Sequence, residues 1–260
     1  MHREFKDTAF TFMFKQVNHL VQLYEFVSGK NIETEAIEAV RLQDGLEKSR
    51  LYNDVAFITE ENQLLVMLEH QSTLNMNMAF RMLEYYVRLV NKYIIKGQKQ
   101  DKYDEPQMMM PKAEFFVVYN GVKGMKPLPL LDLGDVQVGA KMHDIKFDNL
   151  ENKDLNNAVV AYARLVEIAD EGRHINDVLD QLVEEGYLVE FFSRKEIRDM
   201  FAQIFSYDNE LIQKGRKEGR KEGRKEGVTE TARNFLIMGL NVENVAQGTG
   251  LTLEQVQSLK

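Results

Sequence analysis

Two apolar runs of strand length, 52–59 (YNDVAFIT) and 63–71 (QLLVMLEHQ), are separated only by Glu60, Glu61 and Asn62. Two such runs with a short polar break between them predict an antiparallel hairpin. With the turn centred between Glu61 and Asn62, paired residue numbers sum to 123. Alternation then places Ala56, Ile58, Leu65 and Met67 on one face and Val55, Phe57, Leu64, Val66 and Leu68 on the other. A hairpin that is apolar on both faces must be covered on both sides, so it belongs at the centre of a layered domain.

The flanking segments supply the covering layers. Residues 4–28 carry apolar positions at helical spacing, with Gly29 placed to end the helix. Residues 36–43 read as a further strand and 75–96 as a long helix ending at Gly97. Residues 98–112 read as a loop, and EFFVVY at 114–119 as a buried strand closed by Asn120-Gly121. A last strand is expected within 136–148, then helices over 152–170, 175–191 and 194–213. The order is helix, three strands, helix, strand, then helices, which predicts an α/β domain with a mixed sheet.

The hairpin also carries the chemistry. The predicted register sets Asp54 opposite Glu69, on the face that Gln71 shares, and such pairs have Cβ atoms about 5 Å apart. Two carboxylates this close raise one pKa or recruit a cation. A hard divalent ion with oxygen ligands resolves the conflict, can polarise a phosphoryl group and can help generate hydroxide. The same residues also fit solvated strand ends, and a register slip of one residue would separate them. His70 alternates to the opposite face, which favours a supporting hydrogen bond over a role as general base.

Asn53-Asp54-Val55-Ala56-Phe57 followed by Leu68-Glu69-His70-Gln71-Ser72-Thr73 resembles the Rpn family of recombination-promoting nucleases and transposase-like (YhgA-like) proteins. Phe5-Lys6-Asp7-Thr8-Ala9-Phe10 and Phe115-Phe116-Val117-Val118-Tyr119-Asn120-Gly121 resemble the family's opening and a later strand. The resemblance covers most of the chain and implies a PD-(D/E)XK restriction-endonuclease-like core, a mixed central sheet flanked by helices, with a C-terminal helical extension. It implies a Mg²⁺-dependent DNA endonuclease (Mn²⁺ as a substitute ion) that cuts double-stranded DNA and promotes recombination. In that scheme Asp54 and Glu69 are metal ligands, the His70 backbone is a third, and Gln71 stands where the superfamily carries a lysine. Glutamine can orient a water but has no charge with which to activate it, and it is a poor proton acceptor. Asp7 is a candidate third acid, with an N-terminal cap as the competing role. A protein on the same scaffold that binds DNA or self-assembles without turnover is the alternative.

In 75–96, Arg81, Tyr85, Arg88 and Lys92 form a basic and aromatic stripe apart from the apolar side. It suits either a phosphate backbone or a solvated face. Residues 214–227 hold three consecutive Arg-Lys-Glu-Gly copies, with seven positive and three negative side chains, while the whole chain carries −8. A glycine every fourth residue costs roughly 1 kcal/mol each in a helix, so the repeat reads as a weak helix or linker. A solvated spacer is favoured over a nucleic-acid tether, because interspersed Glu blunts the field. The organisation expected is a core over 1–150, a helical subdomain over 151–213, the repeat over 214–227 and a tail over 228–260. The tail reads as a helix-turn-helix poor in basic residues, better suited to homo-oligomer formation than to reading bases. No cysteine is present, which excludes disulfides and thiolate metal sites. The charged opening, MHREFKDTAF, and the lack of a long apolar run predict a cytoplasmic protein with no membrane span.

Overall fold

A computed structural model describes residues 3–40, 55–59, 64–95, 110–171 and 173–259. The chain forms two compact units, residues 1–205 and 206–260. The repeat at 214–227, read from the sequence as a weak helix or linker, lies within one continuous helix.

The first unit is built on a five-stranded mixed sheet, in the order β1 (Ile37–Val40), β2 (Val55–Thr59), β3 (Leu64–Gln71), β4 (Lys112–Tyr119), β7 (Lys141–Asp144). β5 (Leu131–Asp132) and β6 (Gln137–Val138) form a separate small pair. β1, β2 and β3 run antiparallel, whereas β4 and β7 add parallel to β3. The β2–β3 register pairs Val55 with Leu68 and Ile58 with Leu65, the register that the sequence predicts. Residues 98–109 of the loop expected over 98–112, and Asp54, the predicted partner of Glu69, lie outside the described residues.

Both faces of the hairpin are covered. Val55, Phe57, Val66 and Leu68 pack into the larger core with α1 (Arg3–Met13), α2 (Val17–Ser28) and α4 (Ala158–Asp170). Ala56, Ile58, Leu65 and Met67 pack with Met78, Met82, Tyr85 and Leu89 of α3 (Met78–Leu89), which a π-helical turn, Val90–Ile95, continues. The single helix predicted over 4–28 is two helices. Gln16 turns extended, and the His19 ring bonds the Met13 carbonyl at 3.0 Å, where α1 ends. Likewise 175–191 divides into α5 (Ile175–Glu184) and α6 (Val189–Ser193). Gly186, at φ 89°, and Leu188, at φ 38°, make that break, with the Tyr187 N–H closing on the Leu182 carbonyl.

α7 runs from Lys195 to Ile237. In the second unit, α8 (Val242–Thr249) and α9 (Leu253–Gln257) close a small core of Ala232, Val242, Val245 and Val256. Leu253, at the start of α9, is half exposed. Thr252 and Gln255 cap α9 reciprocally, so the polar residues at its start serve the helix itself.

Candidate functional site

β3 is central, so its last residues are buried although three of them are polar. Glu69 is 1% exposed, His70 2% and Gln71 3%. Burying such groups is costly unless they are paired, and the strand's alternation sends them to opposite faces.

Glu69 and Gln71 face α3. Arg81, one turn into α3, donates from Nη2 to Glu69 Oε2 at 3.1 Å and to the Tyr85 hydroxyl at 3.0 Å. Its Nη1 contacts Met78 Sδ at 3.3 Å, and its guanidinium lies 5.7 Å from the Tyr85 ring centre. The predicted basic stripe therefore divides. Tyr85 is fully buried and Arg81 turns inward onto Glu69, whereas Arg88 pairs with Glu84 at 2.9 Å on the exposed side. Lys92 lies 5.3 Å from the Tyr93 ring centre. Gln71 Oε1 is buried with no hydrogen-bond partner among the described residues.

His70 faces the other core. Its Nδ1 bonds Asp7 Oδ1 at 2.8 Å, and its Nε2 lies 3.1 Å from the Tyr162 hydroxyl, which donates to the Lys6 carbonyl at 2.9 Å. The Asp7 carboxylate can only accept, which makes Nδ1 the donor there. Phe10 stacks on the ring, with centres 5.1 Å apart. Lys6 extends the chain of contacts to Asp170 at 2.8 Å. Asp7 thus sits within α1 rather than capping it, and it meets His70 on the face away from Glu69. His70 can reach the Glu69 side only through its backbone.

Sequence reasoning misses Tyr162 and Asn120. Tyr162 lies 92 residues from His70, and nothing local marks it. Asn120 reads from the sequence only as a strand stop. Its N–H donates to the Gln71 carbonyl at 3.2 Å, and both of its side-chain polar atoms are buried without a partner among the described residues. At Gly121 a Cβ would stand 2.3 Å from both the Ser72 carbonyl oxygen and the Tyr119 hydroxyl. That close approach holds the end of β3 against β4. Burial pushes the Tyr119 hydroxyl pKa up, and Asp144 adds to the shift.

Among the described residues no cluster of three His, Cys, Asp or Glu side chains could by itself hold a metal ion. The donors that Glu69 and Gln71 do offer are oxygens, the chemistry that hard divalent ions take. What these features define is a mixed α/β protein with a buried carboxylate–arginine pair at the end of its central strand pair. Residues 44–148 match the family model described as "Putative transposase, YhgA-like". This segment, less than half of the chain, contains the hairpin, α3 and β4, and it is similar to that family. No curated protein and no solved structure matches the chain. Among the described residues no helix is long and apolar enough to cross a membrane.

Proposed function

We propose that this chain is a Mg²⁺-dependent DNA endonuclease of the PD-(D/E)XK type, with Asp54 and Glu69 as the metal-binding acids. The observation that carries the reading is Glu69 itself, a carboxylate 1% exposed at the end of a central strand, on the side where Gln71 and Arg81 converge. A buried acid beside a specific charge partner is a candidate functional site. The YhgA-like match supports transposase-like DNA processing.

Asp54 and Glu69 would hold the ion, with the His70 backbone carbonyl as a further oxygen donor. A bound Mg²⁺ supplies the positive charge that polarises a phosphodiester. Gln71 offers its amide to orient the attacking water and takes no proton. Arg81 holds Glu69 Oε2 and Tyr85 together, which keeps the carboxylate in one rotamer and brings a guanidinium, a good phosphate partner, to the site. The same contact favours a second reading. An internal cation already neutralises Glu69, as a DNA-binding protein without turnover would need.

Supercoiled plasmid incubated with and without Mg²⁺ separates the two readings. Nicking or linearisation is expected with the ion and is lost in Asp54→Ala and Glu69→Ala variants that keep the parent's circular dichroism. Cleavage by both variants at the parent's rate would sink the site assignment. Salt-sensitive binding without turnover would select the second reading.

A further inference from the structure

The Arg-Lys-Glu-Gly repeat has a period of four, and the structure places it on an α-helix, whose period is 3.6. The mismatch sorts the side chains by type. At about 100° per residue, Arg220, Arg224, Lys217, Lys221 and Lys225 fall in one sector about 140° wide. Glu218, Glu222 and Glu226 fall in a second band, and Gly219, Gly223 and Gly227 in a third. Residues that alternate in sequence are therefore segregated in space, and Glu does not blunt the basic field as the linear pattern implies.

The basic band is open. Residues 217–226 are all exposed, and a Cβ added at any of the three glycines would meet nothing within 4 Å. Among the described residues no carboxylate pairs with any of the five cations. Such a band has three classes of partner. Binding in a membrane interface needs an apolar sector beside the basic one, and 214–227 contains no apolar side chain other than glycine. Pairing with the Glu band of a second copy leaves cations in excess, since the repeat holds seven positive and three negative side chains. A polyanion with regularly spaced charge meets neither objection.

We propose that the repeat helix is a sequence-independent docking face for the phosphate backbone of duplex DNA, with Arg220, Arg224, Lys217, Lys221 and Lys225 as its contacts. The band spans about 12 Å of helix axis at 1.5 Å per residue. Duplex DNA carries one charge per about 1.7 Å, so several phosphates lie within reach. The face needs neither Asp54 nor Glu69, and it acts whether or not the chain cleaves.

The test is fluorescence anisotropy of a short labelled duplex with the full chain in EDTA, where metal-dependent cleavage is silent, across a salt series. The key variant exchanges neighbours, Lys221→Glu with Glu222→Lys and Lys225→Glu with Glu226→Lys. Composition and net charge stay constant while the basic band is broken. Affinity at low salt is expected to fall about tenfold or more. The slope of log affinity against log salt should shrink by about two, at about 0.9 for each phosphate no longer neutralised. Unchanged affinity and slope in the exchanged variant overturn the proposal. If the exchange instead abolishes binding to phosphatidylserine vesicles, or a concentration-dependent mass in light scattering, while duplex binding stays unchanged, the band belongs to a membrane or to a second copy.

Discussion

Neighbouring residues of β3 do unlike work because a strand alternates. Glu69 and Gln71 meet α3, and His70, between them, meets α1 and α4 through Asp7 and Tyr162. His70 is therefore a positioning residue that ties the strand end to two helices, and its contacts should behave as a unit. In a double-mutant cycle of His70→Phe and Asp7→Asn, read by urea unfolding, we expect a coupling of about 1–3 kcal/mol. Additive effects would show that the 2.8 Å contact contributes nothing of its own. Gly121 is the other sensitive position. Because a Cβ there would lie 2.3 Å from a backbone oxygen, Gly121→Ala must move β4 or β3. A loss of about 2 kcal/mol is expected, within the range for overpacking. An unchanged denaturation midpoint would show that the strand ends are looser than this packing implies.

Elements hold together through a few pairs that sequence spacing does not announce. Arg164 of α4 donates from Nε and Nη2 to the two carboxylate oxygens of Glu185, just past α5, at 2.7 and 2.6 Å, and from Nη1 to Glu167. Those bonds hold the Glu185 carboxyl below the ordinary carboxylate range, against burial, which pushes it up. A depressed carboxylate stabilises the fold above its unfolded pKa and loses that contribution as pH falls through the folded value. Glu185→Gln should therefore cost about 1 kcal/mol at neutral pH, discounted for partial exposure. It should also flatten the loss of stability below about pH 4. Chemical denaturation at pH 7 and pH 3.5 reads both effects. In the second unit, the α9 capping box predicts that Thr252→Ala lowers stability by about 1 kcal/mol, measured on the full chain by the thermal transition of that unit. No change would mean that the α8–α9 pair is held by its apolar core alone.

At the scale of the whole molecule, two histidines whose pKa burial lowers should contribute to the response to mild acid. Burial pushes the His143 pKa down, aided by Lys141, and its Nε2 is buried without a partner among the described residues. Burial also lowers His19, with Arg194 adding and the Met13 carbonyl opposing. A histidine lowered on folding contributes stability that is fully present above the ordinary value near 6.5 and is lost as pH falls from there through the lower folded value. Stability should decline between pH 7.5 and 5.5, and His143→Phe should remove some of the decline. An equal pH slope in parent and variant would discharge His143 from that role. Much of the first unit was legible in the sequence. Alternation and a polar turn are local properties, so the hairpin, its register and its two apolar faces could be read directly. The helix breaks at Gln16 and Leu188 could not, because they depend on how each segment packs against others. Nor could the pairing of Arg81 with Glu69 or of His70 with Tyr162. A period of 3.6 says which side chains share a side, but not which side turns inward. The sequence alone determined which residues alternate, which repeat and where the charges lie. Tertiary structure decided which polar groups were buried together and how a repeat of four separated its charges, because burial and helical phase belong to the folded chain.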